Sequence, residues 1–129
     1  MREHVRDTGF EQYLLAYARL DEASEVTITG TVGEHFLTVA VAGSVDVQAC
    51  DTVAQRLGEL IGGSDHQHVV LDLSGVEFCD CAGVRALLAV HQMAGAAGIT
   101  CTVRGVQPHV GWLLRFTGAA PILGLTAPG

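Results

Sequence analysis

The stretch VVLDLSGVEFCDCAGVRALL, residues 69–88, decides the fold. Its first five residues form a short apolar run of the kind that fills a buried strand. A turn-rich connector follows, and Asp80 stands where it can cap a helix whose apolar positions are Val84, Leu87 and Leu88. The sequence Asp-Cys-Ala-Gly at 80–83 puts small side chains beside backbone N–H groups that have no partner within the helix. Such a helix mouth suits a protein contact, or a switch made by adding negative charge. Ala82 carries no hydroxyl, so it offers no site for such a charge.

Working outward, residues 25–29 and 36–42 read as strands around a turn at 30–34. After Asp46 a helix is expected to run to about Ile61, with Cys50, Val53, Leu57, Leu60 and Ile61 on its inner face and Gly62-Gly63-Ser64 as its stop. The strand at 69–73 leads to a helix at 81–94, broken by 95–98, and residues 100–104 return as a strand. Pro108 opens a last helix that Gly118 closes, with Val110, Leu113 and Leu114 facing inward. Trp112 and Phe116 fall on its opposite diagonal. They form a contact patch if that face is exposed, and core if the helix is covered on two sides. Near the start, Thr8-Gly-Phe-Glu11 has the form of a capping box, and Phe10, Tyr13, Leu14 and Tyr17 share a helical face. Residues 1–24 are therefore expected to form a helical extension, either covering a sheet edge or serving as an interaction arm. Strands alternating with helices predict an α/β domain whose sheet contains parallel pairs covered by helices.

The chain has 129 residues, enough for one domain with a sizeable core. No apolar run approaches the ~18–20 residues that span a bilayer, so no membrane contact is expected. The formal net charge of −7 argues against a nucleic-acid groove, which needs a basic face. Glu3, Asp7 and Glu11 interrupt the N-terminus, so no secretory segment is expected there. Four cysteines without an export signal read as reduced thiols in a cytoplasm.

Chemistry-bearing residues are scattered. His66 and His68 share a polar loop, while His4, His35, His91 and His109 have no second cluster nearby, so neither a metal nor a cofactor is expected. The chain has no GxSxG elbow, Walker loop or GxGxxG, and a binding module is expected rather than an enzyme. Cys79-Asp80-Cys81 places a thiol at a helix N-terminus, which favours the thiolate, although Asp72, Glu77 and Asp80 oppose that if they lie near it. Cys81 is thus either a small packing residue or a redox site. Asp46 is expected to cap the helix that follows it, and Asp72 to accept from backbone N–H groups of the next loop.

These residues carry a resemblance. The segment 69–88 resembles the STAS domain of bacterial anti-sigma factor antagonists. So do VAGSVDV at 41–47, GITCTVRGV at 98–106 and VGWLLRFTG at 110–118, in the family's order. The resemblance implies a small mixed sheet with helices mainly on one face, as a STAS domain over 25–129 behind the extension. It also implies a partner-binding face made by Asp46, Asp80, Cys81, Ala82, Gly83 and Arg85. The partner would be an anti-sigma factor with a serine-kinase-like ATPase domain, whose capture releases a sigma factor. The resemblance leaves a homodimer open. In phosphorylated members of the family the acceptor Ser immediately precedes the Gly, and here that position is Ala82. Cys81 stands where the family often has Ser or Thr, and Ser44 replaces a Glu. An alternative within the family is a STAS subunit of another complex, such as an ABC lipid-transport system, some of which also have Ala before the Gly.

Overall fold

Leu37, Val39 and Val41 alternate with Thr38 and Ala40, and Val69, Leu71 and Leu73 alternate with Val70 and Asp72; the first residue set of each strand is buried and the second is not. This period of two gives a sheet with one apolar face. The computed structural model of the protein describes residues 3–7, 10–19 and 26–125. They form β1 (Glu3–Asp7), β2 (Phe10–Arg19), β3 (Thr27–Val32), β4 (Leu37–Val45), α1 (Cys50–Gly62), β5 (His68–Cys79), α2 (Cys81–Ala96), β6 (Thr100–Arg104), α3 (Pro108–Phe116) and α4 (Ala119–Ile122). The strands lie side by side in chain order. Pairing is antiparallel from β1 through β4 and parallel across β4, β5 and β6, where α1 and α2 make the crossovers.

The helices bury their inner faces against the apolar face of the sheet in one core. Val53, Leu57 and Ile61 of α1 recur every four residues, and Val84, Leu87, Val90 and Ala94 of α2 recur every three or four. Val110 and Leu114 of α3 complete the same cluster. The opposite sheet face carries Thr27, Thr29, Thr31 and Thr38, all half-buried. The expected mixed sheet with helices mainly on one face is what forms.

Three expectations need correction. The predicted N-terminal helix is a pair of strands, with Tyr13 of β2 opposite Val32, Tyr17 opposite Thr29 and Arg19 opposite Thr27 of β3. Phe10, Tyr13, Leu14 and Tyr17 fit a helical face, but Tyr13, Leu15 and Tyr17 fit a period of two equally well, and aromatic residues favour strands. The unpaired N–H and C=O row along β3 decides between them, because a strand can satisfy it and a helix cannot. Thr8 and Gly9 of the expected capping box, and residue 25 of the expected strand, lie outside the described residues.

Second, β5 does not stop at Leu73. Ser74-Gly75 reads as a turn, yet the strand continues to Cys79, pairing Gly75 with Ala42 and Cys79 with Val45 across two register irregularities. Gly75 is needed there, since a Cβ at this position would lie 2.8 Å from that of Ala42. Third, α4 was not expected. Leu123, just after it, accepts from the N–H of Val103 at 3.0 Å and so covers the outer edge of β6.

Asp72 accepts from the backbone N–H of Ser74 at 3.0 Å, as expected, and lies 3.9 Å from Arg104 on β6. Burial alone would raise its pKa. The hydrogen bonds from Ser74 and the Arg104 charge outweigh that and hold it below the ordinary carboxylate value. A carboxylate with a lower pKa folded than unfolded stabilises the fold above its unfolded pKa. That contribution disappears as pH falls through the folded value. Asp72→Asn should therefore be less stable than the wild type at neutral pH, with the gap closing as pH drops below about 4. Urea midpoints measured across that range check the result; a gap that is constant with pH would show that the Asp72 charge contributes nothing.

Candidate functional site: the paired helix mouths after strands 4 and 5

Two neighbouring parallel strands each feed a helix here, so the N-termini of α1 and α2 open side by side at the carboxyl ends of β4 and β5. Two carboxylates organise this pair of mouths. Asp46 Oδ1 accepts from the N–H groups of Gln48 and Ala49, each at 3.0 Å, and so forms a turn before α1. This corrects the expected role, because α1 proper begins at Cys50 and Asp46 caps the preceding turn. Asp80 is the N-cap of α2 as expected, its Oδ1 accepting from Gly83 N–H at 2.9 Å.

Asp80 also does something the sequence did not announce. Its Oδ2 accepts from Val47 N–H at 3.1 Å, and its own N–H donates to Val45 C=O at 3.4 Å. One side chain thus ties the two mouths together. No local pattern reveals a bond across 33 residues; it exists because β4 and β5 are neighbours. Val47, with its backbone held this way, presents a side chain that is 69% exposed, and Phe78 before the mouth is 49% exposed. Sequence reasoning passed over both. An apolar residue at a strand end reads as core until its neighbours are known.

Gly83 explains the spacing of the motif. It is buried, and a Cβ there would run into the carbonyl oxygen of Val45 and come within 2.7 Å of the Cys79 Sγ. Only glycine lets the first turn of α2 sit this close to β4. Ala82 is half-buried at the rim, while Cys81 and Arg85 are exposed. The mouth therefore brings Asp46, Asp80, Cys81, Ala82 and Gly83 into one neighbourhood, with Arg85 one turn along α2.

The four thiols divide. Burial, assisted by the Asp80 charge, pushes the Cys79 thiol up to about 12, and burial pushes Cys101 up to about 11. Cys50 is also raised, by partial burial and by Asp51, whose Oδ1 is 3.8 Å from its Sγ. Cys81 is exposed. Iodoacetamide at neutral pH should therefore alkylate Cys81 first and Cys50 more slowly. Cys79 and Cys101 should react only after denaturation. Peptide mapping by mass spectrometry checks this, and early modification of Cys79 would contradict its burial.

Among the described residues, no three His, Cys, Asp or Glu side chains are grouped to hold a metal ion. His66 is engaged with Ser64 Oγ at 3.3 Å and the Gly33 carbonyl at 3.1 Å. Among the described residues no helix is long and apolar enough to cross a membrane. Trp112 and Phe116, left open by the sequence, lie on an exposed face.

A model of the STAS domain family matches residues 25–128. The chain belongs to the STAS domain family. This STAS domain is 29% identical over 87 residues to an anti-sigma F factor antagonist of Paenibacillus polymyxa, covering 67% of this chain and 74% of that one. Among solved structures it is similar to an anti-sigma factor antagonist from Mycobacterium paratuberculosis, with a TM-score of 0.64 at 22% identity over 84% of this chain and 87% of that one. The unphosphorylated anti-sigma factor antagonist SpoIIAA superposes with a TM-score of 0.59 at 18% identity, covering 70% of this chain and 78% of that one. The protein SLC26A9 contains a similar fold, with a TM-score of 0.61 at 15% identity, over 71% of this STAS domain but 17% of that chain. At these identities the structural likenesses speak for the fold.

Proposed function

We propose that this STAS domain is a cytoplasmic anti-sigma factor antagonist, a binding protein rather than an enzyme. It captures an anti-sigma factor with a serine-kinase-like ATPase domain and so frees the sigma factor. The observation that carries the reading is the pair of helix mouths stapled by Asp80, in a chain whose curated relative is an antagonist. A docking face of this kind loses little conformational entropy on binding, because its backbone is already fixed. Asp46 and Asp80 hold the loops, Gly83 permits their close approach, and Cys81, Ala82 and Arg85 supply the surface. The mechanism is mass action: each anti-sigma molecule held by the antagonist is one fewer holding sigma.

Phosphorylation at such a mouth would add about −1.5 to −2 charges and three acceptor oxygens to a surface built for a neutral contact. Ala82 has only a methyl group there, so the complex is not dissolved by a phosphate at this position. Control then passes to the amount of protein made, or to oxidation of the exposed Cys81. The test is to mix the protein with the kinase-type anti-sigma factor of its host and Mg-ATP, then follow binding by calorimetry and modification by intact mass. A stable complex with no phosphoryl group added is expected. Absence of binding would overturn the antagonist reading, and a phosphorylated chain would overturn the non-phosphorylatable one.

A further inference from the structure

Strand β5 outruns its outer neighbour. β6 accompanies it only from His68 opposite Thr100 to Asp72 opposite Arg104, so residues 73–79, which lead into Asp80, have a strand on the β4 side alone. Even there the ladder is interrupted. The pairing steps from Asp72 to Gly75 while β4 advances from Ala40 to Ala42, and from Val76 to Phe78 while β4 advances from Gly43 to Ser44. Ser74 falls in the first gap and Glu77 in the second. Each such bulge takes backbone groups out of the regular ladder and re-aims the strand that follows.

Side chains from the start of α3 take up both. Gln107 Nε2 donates to the Ser74 carbonyl at 3.0 Å, and His109 Nε2 to the Glu77 carbonyl at 2.6 Å. A carbonyl oxygen only accepts, so the His109 proton sits on Nε2. Gly105 brings these donors into place. Its φ of +73° turns the chain out of β6, and a Cβ there would lie 2.9 Å from Asp72 Oδ1. Neither side chain serves α3 itself: Gln107 stands at the N-cap but makes no side-chain capping bond, and His109 is exposed while Val110 and Leu114 enter the core.

We infer that Gln107 and His109 are positioning residues for the helix mouths: they lock the two bulges of β5 and so fix where Asp80 stands when it joins Val47 to Gly83. Only Phe78 and Cys79 separate Glu77 from Asp80, so a shift of the second bulge passes directly to the capping carboxylate. That carboxylate accepts from Gly83 at 2.9 Å and from Val47 at 3.1 Å, and moving it weakens one bond or both. The consequence for partner capture rests on the antagonist reading, whereas the positioning itself does not.

Hydrogen exchange followed by NMR on the full chain tests it through the amides of Val47 and Gly83, the two donors to the Asp80 side chain. His109→Phe keeps a ring without the donor, and Gln107→Met keeps the side-chain length without the amide. Each should speed exchange at Val47 and Gly83 about threefold to tenfold, the worth of one net hydrogen bond. His109→Gln, which supplies an N–H donor again, should restore the wild-type rates. The amides of Leu57 and Val90, buried in mid-helix, report unfolding of the whole domain and should move less. Calorimetry against the host's kinase-type anti-sigma factor should show His109→Phe binding about threefold more weakly than wild type, and His109→Gln binding equally. Unchanged rates at Val47 and Gly83 overturn the inference. So does an equal acceleration at Leu57 and Val90, which would mean a general loss of stability, and so does failure of His109→Gln to restore the rates. If the wild type itself does not bind, the antagonist reading falls, and the exchange rates decide the positioning without it.

Discussion

Replacing Gly83 with alanine should destabilise this STAS domain by about 3 kcal/mol, lowering its melting temperature by roughly 10 °C. The added Cβ has no space, because it would meet the Val45 carbonyl oxygen and lie 2.7 Å from Cys79 Sγ. The carbonyl belongs to β4, whose position is set by pairing on both sides, so it is α2 that must shift. Moving the first turn of α2 stretches the Asp80 bonds to Val47 and Gly83, and the strain of overpacking is joined by the loss of a cap. Gly95→Ala is the matched control on the same helix. A Cβ there meets nothing within 4 Å, and alanine is the better helix former by about 0.5–1 kcal/mol, so this variant should be slightly more stable than wild type. Urea denaturation of the three proteins gives the answer. Equal gains in both variants would mean that helix propensity, rather than the contact with β4, governs Gly83.

Ala82→Asp should leave the fold intact and weaken capture of the anti-sigma factor by about 1–3 kcal/mol, or roughly 5- to 150-fold in Kd. The two effects have opposite signs for one reason. A carboxylate in the first turn of α2 interacts favourably with the helix dipole, worth about 0.3–1 kcal/mol to the isolated protein. In the complex the same charge must be desolvated against a surface that meets a methyl group, with the Asp80 carboxylate two residues away. Ala82→Ser should cost the fold at most ~1 kcal/mol and restore a phosphate acceptor. Titration calorimetry against the host's kinase-type anti-sigma factor, with intact mass after Mg-ATP, reads both variants. Identical affinities for wild type and Ala82→Asp would place the contact surface elsewhere.

Much of this site is legible in residues 69–88. The apolar run at 69–73 and the capping aspartate each obey a local rule: burial of alternate side chains and satisfaction of free N–H groups, whereas the need for a missing Cβ at Gly83 comes from the Val45 carbonyl of β4. Local rules also place Val53, Leu57 and Ile61 on one side of α1. They fail where two local readings compete. Phe10 to Tyr17 fits both a helix and a strand, and Ser74-Gly75 fits a turn as well as a strand. In both places the backbone hydrogen-bonding row of a neighbouring strand settled the choice, and that row is far away in sequence.

Composition and local pattern by themselves determined an α/β domain with a buried strand feeding a capped helix, and a helix mouth with no hydroxyl at Ala82. Those properties depend on contacts within a few residues, which the chain carries wherever it goes. Tertiary structure alone decided that Asp80 joins Val47 to Gly83, that Cys79 is buried while Cys81 is exposed, and that Trp112 and Phe116 face outward. Each of these depends on which strand lies beside which, and the free energy of that pairing is summed over the whole sheet and its core rather than written in any one segment.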